Sequence, residues 1–477
     1  MKTLKSFCIV GGLLVTAAHS LFAEAASPAG GAPAAYVGDF VSTAASGAAM
    51  NDAGDVAGTS YPDPGCGPFC LPVQDTVVWR AGQRVVLPAL PGFSGITVRS
   101  INNSGWVAGL AGFPNTATRA VVWKPNGNSY TIIDLGVLPG TNSSEAIGID
   151  NLGRVVGWST TTNFPPQGSP FMWTESGGMV DLSAQGFPDE IPLAISPGGA
   201  VASAGFWYQL ENPASVVAMP PAPVGFTIGT YPTAINDAGD QARFLVSTGT
   251  ERPVFLFRFH HEGLWQQISN QGNFTSSIFG VGSINAARDI SATILGAAQI
   301  AYGPNGTTQP LTPLLSPAYH SSGITRGGPI NASGQILAHV LIGNSSRLMK
   351  LLPADFCTTN CVRVNRIQMK GRFIQDPRDP GHCSPDNNAF NQVQANIEVT
   401  DERGIPLPGF RVSGRFLDDY WTNKRVSKIT NAQGRVSFKV NGSCGVGAVA
   451  FLVDGVTNGT RTLDKTAGDV AAFVIPH

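Results

Sequence analysis

The apolar residues of this chain fall in short bursts of three to five rather than in long amphipathic stretches, and one polar phrase keeps interrupting them. A hydrophobic residue, an Asn or a substitute for it, two further residues and usually a Gly lead into an apolar run. The copies are Met50-Asn51-Asp52-Ala53-Gly54 before Val56-Ala57-Gly58, Ile101-Asn102-Asn103-Ser104-Gly105 before Val107-Ala108-Gly109, and Ile149-Asp150-Asn151-Leu152-Gly153 before Val155-Val156-Gly157. Four more begin at Ile195-Ser196, Ile235-Asn236, Ile284-Asn285 and Ile330-Asn331. The Asn-type positions, Asn51, Asn102, Asp150, Ser196, Asn236, Asn285 and Asn331, stand 51, 48, 46, 40, 49 and 46 residues apart. Asn, Asp or Ser at such a position accepts hydrogen bonds from backbone just ahead, and Gly three residues later takes the left-handed conformation that ends a tight turn. Each copy therefore predicts a hairpin.

A second signature follows it: Val77-Val78-Trp79, Val121-Val122-Trp123 and Phe171-Met172-Trp173, with a degenerate Phe255-Leu256-Phe257 in the fifth unit. A further short strand comes after it, as in Val85-Val86-Leu87. Four short strands in 40 to 51 residues is the size of one propeller blade, and a large aromatic at a fixed place in several units is expected to pack between adjacent blades. A helical solenoid of similar period would need apolar residues every 3.6 positions, and the chain lacks that pattern. The expected fold is all-β: a seven-bladed β-propeller over residues 35–355, followed by an immunoglobulin-like β-sandwich over 356–477. A ring must hide its first and last edges. The seventh unit stops before its final strand, so Ala35-Tyr36-Val37-Gly38-Asp39-Phe40 is expected to supply it.

The run Asp134-Leu135-Gly136-Val137-Leu138-Pro139-Gly140, with Ser144 to Asp150 and then Gly153-Arg154-Val155-Val156-Gly157, resembles the extracellular HAF repeat of bacterial secreted proteins. The resemblance extends loosely over residues 35–353. The third unit matches well, whereas units four to six depart from it with Ser196-Pro197, Gln241-Ala242-Arg243 and Arg288. The resemblance implies no catalytic residues. Further on, Ile397 to Val412 reads as strand, Gly-Pro turn and strand, and Thr430 to Phe438 as a hairpin whose Val436 and Phe438 share a face. These phrases resemble bacterial immunoglobulin-like domains, which implies a spacer or adhesive attachment.

Composition narrows the functional classes. Among 477 residues, 30 basic and 31 acidic side chains are spread without a long single-sign run, so the electrostatic footprint required by nucleic acid is missing. The order Met-Lys-Thr-Leu-Lys, an apolar stretch from Phe7 to Ala18 and small residues at Ala23 to Ala26 predicts a secretory signal peptide over 1–26. That apolar run is short of the ~20 residues a spanning helix needs, and no later segment is long enough, so no membrane span is expected. Residues 27–34 read as a flexible leader, and the protein is expected to be secreted, extracellular or periplasmic. Six cysteines remain after signal removal, and an even count in an exported chain predicts disulfides. Cys66 with Cys70 and Cys357 with Cys361 are close enough to pair locally, leaving Cys383 for Cys444.

Candidate chemistry is sparse. His260-His261 with Glu262 is the most metal-like cluster, but adjacent strand residues point to opposite faces, so an exposed loop is expected there. Asn51 to Asp55 and Asn236 to Asp240 offer fewer oxygens than the six to eight calcium takes, and turn formation already explains them. Asp376, Asp379, Asp386, Asp418 and Asp419 with Tyr420-Trp421 form an acidic and aromatic set on the second domain. Asn142 and Asn344 are glycosylation sequons. No nucleophile elbow and no phosphate loop appears, and no catalytic residue, metal or cofactor is expected. The sequence reads as a secreted or surface-associated scaffold that uses a propeller rim or channel to bind a polysaccharide or surface protein. The alternative is a propeller-type polysaccharide hydrolase or lyase.

Overall fold

A computed structural model describes residues 32–42, 45–61, 74–93, 95–112, 117–162, 167–250, 252–269, 280–342, 345–355, 357, 359–372, 390–417, 424–445 and 449–474. The signal segment, Cys66, Cys70, Cys383, the side chain of Cys444, Asn344 and the acidic-aromatic set lie outside the described residues. Cys357 and Cys361 stand at disulfide distance, with sulfurs 2.04 Å apart.

The protein is all-β, built of small antiparallel sheets. Among the described residues, seven four-stranded sheets precede residue 355 and two more follow it. The second sheet is typical: Ile96–Ile101, Val107–Ala111, Arg119–Asn126 and Ser129–Asp134 pair in chain order. The turn phrase joins the first two strands of each of the first six sheets, and in the seventh it joins Ser321–Ile330 to Ile336–Ile342. In the first copy the Asp55 N–H donates to Asn51 Oδ1 at 2.8 Å and the Gly54 N–H to Asn51 O at 3.0 Å. Gly54 takes φ 77°, as its counterparts also do in the left-handed region. In the sixth copy that place is held by Arg288 at φ 68°, a conformation a side chain adopts only when its surroundings hold it there.

The Val-Ala-Gly ending of the phrase has its own cause. The inner strand bulges between Gly47 and Ala49, between Val98 and Ser100, and between Ala146 and Gly148. Each bulge brings a carbonyl toward the neighbouring strand. A Cβ on Gly58, Gly109 or Gly157 would lie 2.0 to 2.1 Å from the carbonyl oxygen of Ser46, Thr97 or Glu145. Only glycine fits.

Apolar faces are covered by the next sheet along. Ala49, Ala57, Val78 and Leu87 of the first sheet share a core with Val98, Val107, Trp123 and Tyr130 of the second, and the Trp123 indole N–H donates to Pro88 O at 2.8 Å. Ala108, Val122 and Leu135 repeat the arrangement against Phe171 and Trp173. Trp79, Trp123 and Trp173 pair with Val56, Val107 and Val155. In the fifth sheet the equivalent position, opposite Gln241, belongs to Phe259. The sequence assignment of Phe257 to that place is therefore displaced by two residues. Alternation has a period of two, so a shift by one full period leaves the apolar face unchanged and invisible to pattern.

The seventh sheet contains the two ends of the repeat array. Ala35–Ser42 pairs antiparallel with Ser345–Ala354, with Val37 opposite Leu352 and Phe40 opposite Met349, as the truncated seventh unit implied. Tyr36, Val37 and Phe40 are buried there with Ile336, Val340 and Met349. Beyond it, the sheet containing Cys361–Arg372 and Phe390–Asp401 and the sheet containing Arg411–Leu417 and Val449–Thr457 enclose a common core of Val364, Ile397, Val412, Phe438 and Phe451. Val436 and Phe438 are both buried in it. Leu417, Ala450, Leu452, Val470 and Ala471 instead join the core around Tyr36 and Tyr319. The sheet containing Arg411–Leu417 and Val449–Thr457 is thus packed onto the seventh.

Candidate functional site

The seven turns converge on one another. Asn51 Nδ2 donates to Asn102 O at 2.9 Å, and Asn102 Nδ2 to Asp150 O at 2.9 Å. Asn236 Nδ2 reaches Asn285 O at 3.2 Å, and Asn285 Nδ2 reaches Asn331 O at 3.3 Å. Asn331 Nδ2 closes the circle on Asn51 O at 3.3 Å. A carboxamide serves here because its oxygen folds its own turn while its nitrogen is left to bind the next one. The sequence revealed the first half of that role and not the second, because a donor's partner about fifty residues away leaves no local pattern.

The two turns without Asn solve the same problem differently. The Asp150 side chain has no N–H to give and is fully buried. Arg154 Nε donates to its Oδ2 at 2.5 Å, and Arg154 Nη2 extends to Gly198 O at 3.4 Å in the next turn. The Asn151 N–H donates to Pro197 O at 2.8 Å. Ser196 is too short to cross, and the link to the fifth turn is made by the Gly198 N–H to Asp237 Oδ1 at 2.6 Å and by Gln209 Nε2 to Asp237 O at 2.9 Å. The circle of hydrogen bonds is complete at every junction.

This circle surrounds a cavity of about 370 Å³, lined by the turns and by the inner strands that carry Arg99, Ile147, Thr233 and Pro329. Its size is that of a small-molecule site. The carboxylates on its wall are Asp52 and Asp237. Asp52 Oδ1 accepts from the Ala332 N–H at 2.9 Å and Oδ2 from Asn103 Nδ2 at 2.8 Å. Both acids therefore act in the structure as acceptors that hold neighbouring turns.

The fifth and sixth sheets meet around a denser charged group. Asp240, whose side chain is fully buried, accepts from His261 Nδ1 at 2.9 Å and from Arg288 Nε at 2.7 Å. Burial pushes its carboxyl upward, but hydrogen bonds from His261 and Asn236 and the Arg288 charge outweigh that and hold it below its ordinary value. His260 and His261 are half-buried, so the exposed loop expected there is corrected: His261 is fixed by a carboxylate 21 residues away. Arg258, fully buried, sits opposite Ala242, where the earlier sheets have Val78, Val122 and Met172. Its guanidinium donates to Pro304 O at 2.5 Å and Arg288 O at 3.2 Å across the sheet boundary. Burial brings its pKa down to about 10.

Among the described residues no three His, Cys, Asp or Glu side chains group as a metal site would require. The oxygens of the two calcium-like phrases are engaged by protein. Asp55 pairs with Arg80 at 3.4 Å and accepts from Asn51, and Asp240 is held as described. Asn142 Nδ2 donates to Thr162 Oγ1 at 2.9 Å.

No family model matches the chain, and no curated protein matches it in sequence. Among solved structures, it is similar to one from a study of two prolyl endopeptidases, at 10% identity and a TM-score of 0.39, covering 76% of this chain and 55% of that one. The chain thus spans little more than half the length of that relative. It is also similar to a gluconolactonase from Xanthomonas campestris, at 10% identity and a TM-score of 0.30, covering 68% of this chain and 99% of that one. A third is a triple arginine-to-alanine mutant of AofleA from Arthrobotrys oligospora, at 11% identity and a TM-score of 0.29, covering 84% and 91%.

Proposed function

We propose that the seven linked sheets form a seven-bladed β-propeller, that the last two sheets form an immunoglobulin-like sandwich, and that the protein is an exported or surface-associated scaffold. In this reading residues 1–26 direct export, and the repeats belong with the extracellular HAF type. The mouth of the central cavity binds a polysaccharide or a protein of the cell surface. The reading is supported chiefly by the closed belt of turn-to-turn hydrogen bonds, which presents a rigid polar rim around a cavity of about 370 Å³. A rigid rim loses little entropy when it binds.

A glycan array probed with the purified chain from residue 27 onward tests this reading, paired with a reducing-end assay on the same polysaccharides. Binding without turnover is expected. Ala286→Trp and Ala332→Trp place bulk at exposed positions of the cavity wall and are expected to abolish binding with the fold retained. Release of reducing ends or unsaturated products would overturn the scaffold reading in favour of a hydrolase or lyase.

A further inference from the structure

A second cavity, of about 350 Å³, opens where the seventh sheet meets the first and the sixth. It holds two cation-forming side chains, Arg326 and His339. They are direct partners in the ladder between Ser321–Ile330 and Ile336–Ile342, so they project from the same face and stand side by side. Like charges placed opposite one another in a ladder destabilise it. Burial, and then the charge of Arg326, hold His339 below its ordinary value.

Neither is neutralised by protein. Arg326 is exposed, and its guanidinium forms no hydrogen bond or ion pair among the described residues. No carboxylate lines the cavity among those residues. The stretches next in sequence to its lining residues, 43–44, 270–279 and 343–344, contain no Asp or Glu. His339 Nδ1 is within 3.2 Å of Ser346 Oγ, which orients the ring and leaves Nε2 for a ligand.

The rest of the wall is made of Ser46, Thr293 and Thr325 among glycines, with Leu337 and Leu348 as its apolar part. Three of the glycines are explained by packing. A Cβ on Gly47 would stand 2.2 Å from Leu337 Cδ2, one on Gly327 2.9 Å from Ala292 O, and one on Gly328 3.0 Å from Leu337 O. Gly280 is different: a Cβ there meets nothing within 4 Å.

We propose that this niche binds a small organic oxyanion, a carboxylate- or sulfate-bearing molecule of about monosaccharide size, with Arg326 as its fork-shaped anchor and His339 as a second donor. A planar guanidinium takes a carboxylate or sulfate through two parallel hydrogen bonds, and a cavity of this volume lies in the range of ligand sites. An anion beside Arg326 offsets its positive charge, which favours protonation of His339 and a second charged donor to the ligand. The assignment does not depend on the reading of the channel mouth.

Calorimetric titration of the full chain from residue 27 with D-galacturonate, D-galactose 6-sulfate, D-galactose and inorganic sulfate tests it. At least one of the two anionic sugars is expected to bind, and neutral galactose at least about tenfold more weakly, as the loss of a charge-assisted pair implies. Arg326→Ala is expected to weaken the anionic sugar by about tenfold or more. Gly280→Leu, which fills open space, is expected to abolish its binding with an unchanged circular dichroism spectrum and melting temperature. Ala286→Trp and Ala332→Trp, at the channel mouth, are expected to leave it intact. Binding that survives both Arg326→Ala and Gly280→Leu, equal affinity for galactose, binding of inorganic sulfate alone, or no binding by any probe would overturn the proposal.

Discussion

Asn331 donates its side-chain amide to the main-chain carbonyl of Asn51, a residue 280 positions earlier in the chain. That contact joins the last turn to the first. The same amide also reaches Gln335 Oε1 at 3.1 Å, while its oxygen accepts from the Gln335 N–H at 2.9 Å. One buried side chain thus shapes its own hairpin and closes the array.

Removing it should cost more than removing a residue that only shapes a turn. Asn331→Ala is expected to lower stability by about 2 to 3 kcal/mol, because the ring-closing bond to the Asn51 carbonyl is lost and the N–H groups of Ser333 and Gln335 lose their turn acceptor. Ser196 Oγ, in contrast, accepts from the Ala200 N–H alone among the described contacts, so Ser196→Ala should cost about 1 kcal/mol. Urea denaturation of the two variants checks the order, and equal losses would contradict a ring-closing role.

Asp150 and Arg154 form a substitute for the missing carboxamide. Arg154→Ala strands a fully buried carboxylate and is expected to destabilise by about 3 kcal/mol. Adding Asp150→Asn to that variant restores the residue type of the other turns and should recover at least about half of the loss. A double-mutant cycle by thermal melting measures the coupling. An additive result would mean that Arg154 acts independently of Asp150.

Gly109→Ala should cost about 2 to 4 kcal/mol despite adding one methyl group, since the new Cβ meets the Thr97 carbonyl at 2.0 Å and the bulged backbone must move. Gly280→Ala, where nothing lies within 4 Å, is the matched control and should be close to neutral. Melting temperatures of the pair decide between a steric cause and a general cost of replacing glycine in strands.

The Asp240 carboxyl, held below its ordinary value in the folded chain, binds protons more weakly folded than unfolded. Its contribution is therefore present above the unfolded value near pH ~3.9 and is lost as pH falls through the folded one. Unfolding free energies measured from pH 6 to pH 3 should fall less steeply for Asp240→Asn than for the parent, with the difference confined to the acid end. A parallel displacement of the two curves would show that the effect of the substitution does not arise from titration.

Deleting residues through 42 removes the strand that covers Ser345–Ala354. It also removes Tyr36, Val37 and Phe40 from the core shared with the sheet containing Arg411–Leu417 and Val449–Thr457. An uncovered apolar edge pairs with other chains, so the truncated protein is expected to form oligomers in size-exclusion chromatography at concentrations where the parent does not. A monomeric truncation with an unchanged melting temperature would show that the edge needs no cover.

Much of the architecture could be read from the chain because it depends on local chemistry. Asn51 and Gly54 mark a turn, and consecutive apolar runs such as Val77-Val78-Trp79 mark short buried strands. The seventh unit's missing strand could be inferred because an edge must be covered, and Ala35 to Phe40 was the apolar segment left over. Phe257 was misplaced by one period of the strand pattern for want of any residue that marks register. His261 was misread because nothing near it in sequence indicates Asp240.

What the sequence determined by itself was the all-β class, the hairpin turns and their spacing, since turn geometry and strand alternation act over a few residues and repeat. What only the tertiary structure decided was where those turns send their spare hydrogen bonds, that Arg154 replaces a carboxamide, that the last sheet shares a core with the seventh, and that Arg326 and His339 face one cavity. Each of these is a contact between residues distant in the chain. Backbone closure, not residue type, sets which of them meet.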